Sequence, residues 1–517
     1  MLSQKLKCIS KYSLIAGTLV TTTYSLHENS YDINSIGIVR LTRAAVTVFK
    51  IGTTYKNELY GSGLEKGSPQ YNKLKSDIHK KSAEKLLELC CTNKGVYIKV
   101  GQHIATLDYI LPSEFVKTMK VLYSHAPKND LKDVYKVLKQ DLKKNPEEIF
   151  ESFDPEPLGT ASLAQVHKAV LKDGRCVAVK VQHPYVQGNA KVDLKTMEYL
   201  VKLMSYAFPE FRFQWLVDET KKNIPQELNF EQEGKNAEKI DSLFKNTEWL
   251  RVPRILWELT TSRVLTMEFV EGGQVNDLDY IHKNKIDPYD ITDKLGKLYS
   301  QMIFKHGFVH SDPHPGNILI SKSERGDCNL TLLDHGLYAV LSDEFRYNYA
   351  NFWLSILDRN RHTMRLHSKQ LGIDGDLYGM FACMVTGRSW ESINRGIVTD
   401  GVPSKGEMDF VKQNLSLILP QMSTVLDSVN RQMILIFKTN DLIRGIEHTL
   451  KTSKKMRAFK VMSECCVNSV YDQKKVNCSS RLEKLKIQLA QFWALLRLKV
   501  YYTYLQLSNF NLRLSLH

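Results

Sequence analysis

The run His310-Ser311-Asp312-Pro313-His314-Pro315-Gly316-Asn317 is dense in turn signals. Pro313 and Pro315 lack the amide hydrogen that a helix interior or central strand needs, and Pro315-Gly316 marks a turn. The loop carries a carboxylate, Asp312, and an amide, Asn317, five residues later, with Asp334-His335-Gly336 shortly downstream. Phosphoryl transfer needs such a set: Asp312 to orient or deprotonate an acceptor, Asn317 and Asp334 to hold Mg²⁺ on the phosphates. Each fragment alone is also an ordinary turn, so the reading depends on whether the chain supplies a nucleotide site.

Upstream, Pro157-Leu158-Gly159-Thr160-Ala161-Ser162 is a small-residue loop, and Gln165 to Val170 reads as a strand. Asp173-Gly174 then gives a hairpin turn, and Val177-Ala178-Val179-Lys180 a second strand ending in a lysine. Backbone N–H groups at Gly159, Thr160, Ala161 and Ser162 can approach phosphates, and Lys180 can reach the α- and β-phosphates. The same pattern fits a surface hairpin with a solvated lysine. A phosphate-binding lysine needs a carboxylate to orient it. The helical run from Gln226 to Glu233 offers Glu227 and Glu231 at i, i+4, with Glu233 on another face. Any of the three can serve, and Glu227 is the partner whose charge swap with Lys180 tests the pairing. Val264 to Val270 reads as a buried strand broken by Glu271-Gly272-Gly273, where a sheet-rich lobe can hand over to a helical one. Backbone from Glu268 to Val270 can there hydrogen-bond an adenine ring.

The nine cysteines form no CxxC pair, and the adjacent pairs Cys90-Cys91 and Cys465-Cys466 lie in helix-like segments, which reads as reduced, buried thiols and not as a disulfide framework or zinc site. The net charge of +15 is unevenly placed. Residues 1–27 carry three lysines and no acid, and residues 451–517 carry thirteen Lys and Arg against three acids. A nucleic-acid-binding protein concentrates charge on its folded body, so nucleic acid is excluded as a partner and an anionic membrane surface is favoured. Residues 1–27 are basic, hydroxyl-rich and acid-free, the composition of a mitochondrial targeting segment or short membrane anchor. A secretory signal or an ordinary first helix are the competing readings.

Helical periodicity gathers at Ala83, Leu86, Leu87, Leu89 and Cys90, and Ile98-Lys99-Val100-Gly101-Gln102 follows. By itself the latter is a helix with a packing glycine. From Leu337 to Asn360 apolar residues recur at helical spacing, with neither an Ala-Pro-Glu nor a long polar loop. In the tail, Leu482, Leu485, Leu489, Phe492, Trp493, Leu496 and Val500 repeat at i, i+3, i+4 among cations. Such a helix can lie on an anionic leaflet or pack on the body.

Together, Lys99-Val-Gly-Gln102, the alanine-containing loop 159–162, Glu227-Leu228-Asn229, Asp312-Pro-His-Pro-Gly-Asn317 and Asp334-His-Gly336 resemble the UbiB/ABC1/AarF family of atypical kinases. The match runs from about Lys94 to Gly445. It implies an α+β, bilobal protein-kinase-like fold that binds ATP or ADP with Mg²⁺, with helical N- and C-terminal extensions. Six regions are expected: a targeting or anchor segment 1–27, a linker and helical region 28–85, and a helical extension 86–150. A kinase-like N-lobe 151–270, a C-lobe 271–450 and a basic helical tail 451–517 follow. The resemblance also implies a mitochondrial setting, a role in lipid homeostasis and inner-membrane (cristae) organisation, and mitochondrial membrane proteins as partners. In the family the Lys-x-Gly-Gln helix covers the place of a protein substrate, which makes Lys99 and Gln102 gating residues.

Two departures qualify this. Asn229 stands where the family has Asp, removing a charge that could couple the gating helix to nucleotide. Ser311 replaces the arginine that meets a phosphorylated activation loop in ordinary kinases. An atypical kinase or ATPase with little protein-kinase activity is the leading expectation, and a nucleotide-binding pseudokinase scaffold the alternative.

Overall fold

The computed structural model describes residues 33–105, 111–123, 128–208, 213–373, 375–395, 421–422, 424–426, 428–452, 457–476, 478 and 480–514. The targeting reading of residues 1–27 lies outside them. Helices α1 (Gly37–Thr54), α2 (Pro69–Asn93), α3 (Val96–Ala105), α4 (Ser113–Met119) and α5 (Leu131–Leu142) come first. Strands β1 (Phe150–Phe153), β2 (Gly159–Thr160), β3 (Ala164–Leu171) and β4 (Cys176–Gln182) follow. Next are α6 (Val186–Ala207), α7 (Gln214–Glu227), α8 (Phe230–Leu243), β5 (Leu250–Arg251), β6 (Val264–Glu268) and β7 (Gly273–Gln274). Then come α9 (Pro288–Ser300), β8 (Phe308–His310), β9 (Ile318–Lys322), β10 (Cys328–Leu332) and β11 (Tyr338–Val340). The chain continues through α10 (Asp343–Leu357), α11 (Arg361–Gln370), α12 (Tyr378–Thr386) and α13 (Trp390–Arg395). It closes with α14 (Arg431–Thr449), α15 (Arg457–Val476) and α16 (Arg481–Leu514).

The chain divides into two compact units: Met1–Gly234 with Ile255–Phe269, and Lys235–Arg254 with Val270–His517. In the first, β1, β3, β4 and β6 form an antiparallel sheet in that order, with β2 paired to β3. The Asp173-Gly174 turn forms as the sequence predicts, with Gly174 at φ +82° and the Arg175 N–H bonded to Asp173 Oδ1. Side chains alternate across a strand. Val177, Val179 and Val181 therefore enter a core with Val137, Leu138, Phe150 and Val264, while Lys180 takes the other face.

A helical cluster in the same unit is built on Ala44, Leu89, Cys90, Ile98, Met119, Leu122 and Leu200. The packing glycine read in α3 is real. A Cβ on Gly101 would lie 2.2 Å from Leu122 Cδ1 and 3.4 Å from Cys90 Sγ. Between α1 and α6, Arg40 makes a two-pronged bond to Asp193, at 2.8 and 2.5 Å, and donates to the Asn93 carbonyl at 2.5 Å. Burial holds the Asp193 carboxyl above its usual value, against the opposing pull of the Arg40 guanidinium.

The second unit holds a four-stranded sheet in the order β5-β10-β9-β7 and a two-stranded ribbon of β8 and β11. Its helical core includes a Phe304–Tyr349 stack at 5.3 Å and a bond from Trp353 Nε1 to Ser463 Oγ at 3.1 Å. The helix expected from Leu337 starts later. Tyr338–Val340 pair with Phe308–His310, and α10 begins only after Ser342, whose side chain caps the Phe345 N–H. Ladder pairing on one side and a cap on the other override the helical spacing. Among the described residues no helix is long and apolar enough to cross a membrane.

Removing one partner of a buried charge pair strands the other. Arg40→Ala is expected to cost about 3–5 kcal/mol in urea unfolding, and an Arg40→Leu/Asp193→Leu double variant to recover most of it.

Candidate active site

In the first unit the site is built on β4. Lys180, opposite Val166 on one side and Leu265 on the other, extends its ammonium to Glu233, at 2.7 Å from Oε1 and 2.9 Å from Oε2. It also lies 5.1 Å from the centre of the Phe230 ring. Glu233, only 2% exposed, sits in the first turn of α8, where the helix dipole favours an acid. The swap that tests the lysine pair is therefore Lys180 with Glu233, not with Glu227. Glu227, at the last position of α7, instead meets Lys99 of α3 at 2.9 Å, both side chains being 10% exposed.

Asn229 lies between these two acids, just before α8. Its side-chain oxygen accepts from the Gln232 N–H at 3.4 Å and its carbonyl from the Glu233 N–H at 3.2 Å. Asn and Asp are comparable helix caps. The departure at this position thus keeps the cap that orients Glu233 and drops only the charge. Gln102 donates to the Leu122 carbonyl at 3.1 Å, and the Tyr123 hydroxyl donates to the Gln102 carbonyl at 3.0 Å. This fixes the turn after α4 against α3.

The loop Gly159–Ser162 is more ordered than a phosphate cradle needs. Gly159 and Thr160 pair with Val166 and Gln165, and the Ala161 N–H donates to the Ala164 carbonyl at 2.8 Å. The Ala161 carbonyl in turn bonds His183 Nε2 at 3.0 Å, whose Nδ1 faces Asn129 Nδ2 at 2.8 Å. The Ala161 amide is thus engaged by protein, which corrects its expected availability for phosphate. Ser162 is buried. Glu268 ends β6 opposite Val177, with Phe269 N–H bonded to the Cys176 carbonyl at 3.3 Å, and Val270 begins the longer segment of the second unit.

In the second unit His310, 1% exposed, joins the two halves of the motif. Its Nε2 bonds the Asp334 carbonyl at 2.8 Å, and its Nδ1 takes the Asp312 N–H at 3.2 Å. These partners set the tautomer: the proton is on Nε2. Asn317 Nδ2 donates to the Asp312 carbonyl at 3.3 Å, and the Leu333 N–H donates to the Asn317 carbonyl at 3.0 Å. Asp334 Oδ1 accepts from the Gly336 N–H at 2.9 Å. His335, buried, bonds the Leu332 carbonyl through Nε2 and the Tyr338 hydroxyl through Nδ1, at 3.1 and 2.9 Å. Asn236 Nδ2 donates to the His335 carbonyl at 2.9 Å. The sequence gives His310 a place in the motif but no role, and nothing local marks Asn236 or Phe230.

The donor set suits magnesium. Asn317 and Asp334 offer hard oxygens, and Mg²⁺ commonly takes one or two protein donors with phosphate oxygens and water completing its octahedron. Among the described residues no three His, Cys, Asp or Glu gather as a metal cluster.

An α+β chain with a strand lysine paired to a helix glutamate, and with carboxylates and an amide on adjoining loops, is kinase-like in class. Residues 121–368 match the ABC1 atypical kinase-like domain, and the chain belongs to that ABC1/AarF family. AarF domain-containing kinase 1 of Drosophila melanogaster is 56% identical, over 98% of both chains. AarF domain-containing protein kinase 1 of Mus musculus is 46% identical, over 96% of this chain and 94% of its own. A Mycobacterium tuberculosis protein solved with erythromycin is 22% identical with a TM-score of 0.49, covering 73% of this chain and 94% of its own.

Lys180→Glu and Glu233→Lys are each expected to lower the melting temperature, and the double reversal to restore most of it. Reversal of Lys180 with Glu227→Lys is expected to give no rescue. A pH dependence also follows from the first unit. Burial holds the His167 and His183 imidazoles below the ordinary value of 6.5. Below 6.5 the unfolded chain then binds more protons than the folded one, so stability falls as pH drops toward the folded values. Melting temperature should decline from pH 7 to pH 5, and His183→Gln should flatten the slope.

Proposed function

We propose that the protein binds ATP or ADP with Mg²⁺ and acts as an atypical kinase or ATPase on a non-protein acceptor. Lys180, oriented by Glu233, binds phosphate oxygens. Asn317 and Asp334 hold the metal, which supplies charge neutralisation at the phosphates. Asp312, fixed through its backbone by His310 and Asn317, orients the acceptor hydroxyl and takes its proton. Backbone at Glu268 and Val270 reads the adenine.

The observation that carries this reading is the His310-centred arrangement, in which one buried ring holds the Asp312 and Asp334 segments together. The acceptor class is supported by the stretch after Gly336. Ser311 N–H bonds the Leu337 carbonyl at 2.9 Å, Tyr338–Val340 pair with β8, and Ser342 already caps α10. Five residues between Gly336 and Ser342 leave no room for the platform on which protein kinases lay a peptide. The Lys99–Glu227 pair and Gln102 serve as the gate that the family resemblance implies. Residues 1–27 and the basic tail support a mitochondrial, membrane-associated setting, with anionic lipids and mitochondrial membrane proteins as partners. The cellular role proposed there is lipid homeostasis and cristae maintenance.

A second reading, a nucleotide-binding pseudokinase scaffold, is favoured by one feature: the Ala161 amide is bonded to Ala164 rather than offered to phosphate. Turnover separates the two. Purified full-length protein is expected to hydrolyse or transfer phosphate from Mg-ATP, with Asp312→Asn lowering kcat by about 10²–10⁴-fold while nucleotide binding persists. Binding without turnover, with and without lipid vesicles, would favour the scaffold.

A further inference from the structure

Helix α16 carries two apolar faces. On one, Leu498 and Tyr502 are buried and Gln491 Nε2 bonds Asn468 Oδ1 of α15 at 2.8 Å. At about 100° per residue, Leu482, Leu485, Leu489, Phe492, Trp493 and Val500 fall on the opposite side, in a stripe roughly 100° wide. All six are exposed, Leu482 by 74% and Trp493 by 64%. The stripe runs for about 27 Å along the helix at 1.5 Å per residue. A lone exposed leucine needs no explanation, but an ordered row of six with two aromatics does.

The charge around the stripe identifies its occupant. Lys486 and Arg497 follow one edge, and Arg481 and Lys499 the other. Glu483 is the one acid between residues 481 and 500. Arg497 reaches Asp358 at 2.5 Å, which fixes that edge to the body. A second copy of this face would bring cationic edges against cationic edges, which disfavours self-pairing. A surface of anionic phosphate headgroups over acyl chains matches both the apolar row and its rims. Long basic side chains reach headgroups while aromatic rings settle at the interface. The helix does not meet the requirements of a membrane span, so it lies along the surface.

We propose that the outward stripe of α16 docks the protein, edge cations down, on an anionic lipid bilayer. This rests on the anionic-lipid partner proposed above and gives that partner a surface. Full-length protein should co-sediment with vesicles containing phosphatidylglycerol, much less with phosphatidylcholine alone, and less as salt rises. The variant Leu489→Gln/Phe492→Gln/Trp493→Gln should lower the partition coefficient at least tenfold with an unchanged melting temperature. A second variant, Lys486→Gln/Lys499→Gln, should weaken binding and flatten its salt dependence. Equal binding by wild type and both variants would overturn the α16 surface while leaving a lipid partner in place. No binding by wild type would overturn both. Self-association of wild type that the triple variant abolishes would show a second copy on the stripe and also overturn the proposal.

Discussion

The arrangement in the second unit depends on one imidazole. His310 is buried, donates from Nε2 to the Asp334 carbonyl and accepts the Asp312 N–H at Nδ1. Pro313 and Pro315 keep the Asp312 segment out of a helix interior or central strand, so its position is held by side-chain and short-ribbon bonds. The β8–β11 pairing places His310 opposite Tyr338, and Tyr338 then bonds His335. One ring therefore ties together the backbones of the two aspartates, and a short ribbon holds the ring.

The first unit uses buried ion pairs for orientation. Arg40–Asp193, Lys99–Glu227 and Lys180–Glu233 each link residues far apart in sequence. Pairs of this kind contribute little net stability over apolar replacements, but breaking one leaves a costly lone charge. Their value is in fixing which acid meets which base. Asn229 separates the latter two: the acid before it closes α7 and meets Lys99 of α3, and the acid after it lies in the first turn of α8 and meets the strand lysine. A cap between two helices thus assigns the two roles.

Much of this was legible beforehand. The Asp173-Gly174 turn and the valine alternation around Lys180 specify the hairpin by local rules, and the structure follows them. The helix with a packing glycine at Gly101 also appears. Which of three acids would meet Lys180 was not legible. The answer depends on the break between α7 and α8, a tertiary fact that helical periodicity across Gln226–Glu233 conceals. The ribbon at Tyr338–Val340 was hidden for the same reason, because its apolar spacing also fits a helix until a partner strand is known. His310 needed three-dimensional knowledge as well, since a lone histidine before an aspartate carries no signal of what its two nitrogens will hold.

In the proposed site Asn317 and Asp334 hold Mg²⁺ on a bound nucleotide. The most direct measurement is calorimetric titration of full-length protein with ADP, in Mg²⁺ and in EDTA, beside Asp334→Asn. Binding should strengthen with Mg²⁺ in the wild type and lose that dependence in the variant. Nucleotide affinity indifferent to Mg²⁺, or a magnesium dependence that survives Asp334→Asn, would contradict it.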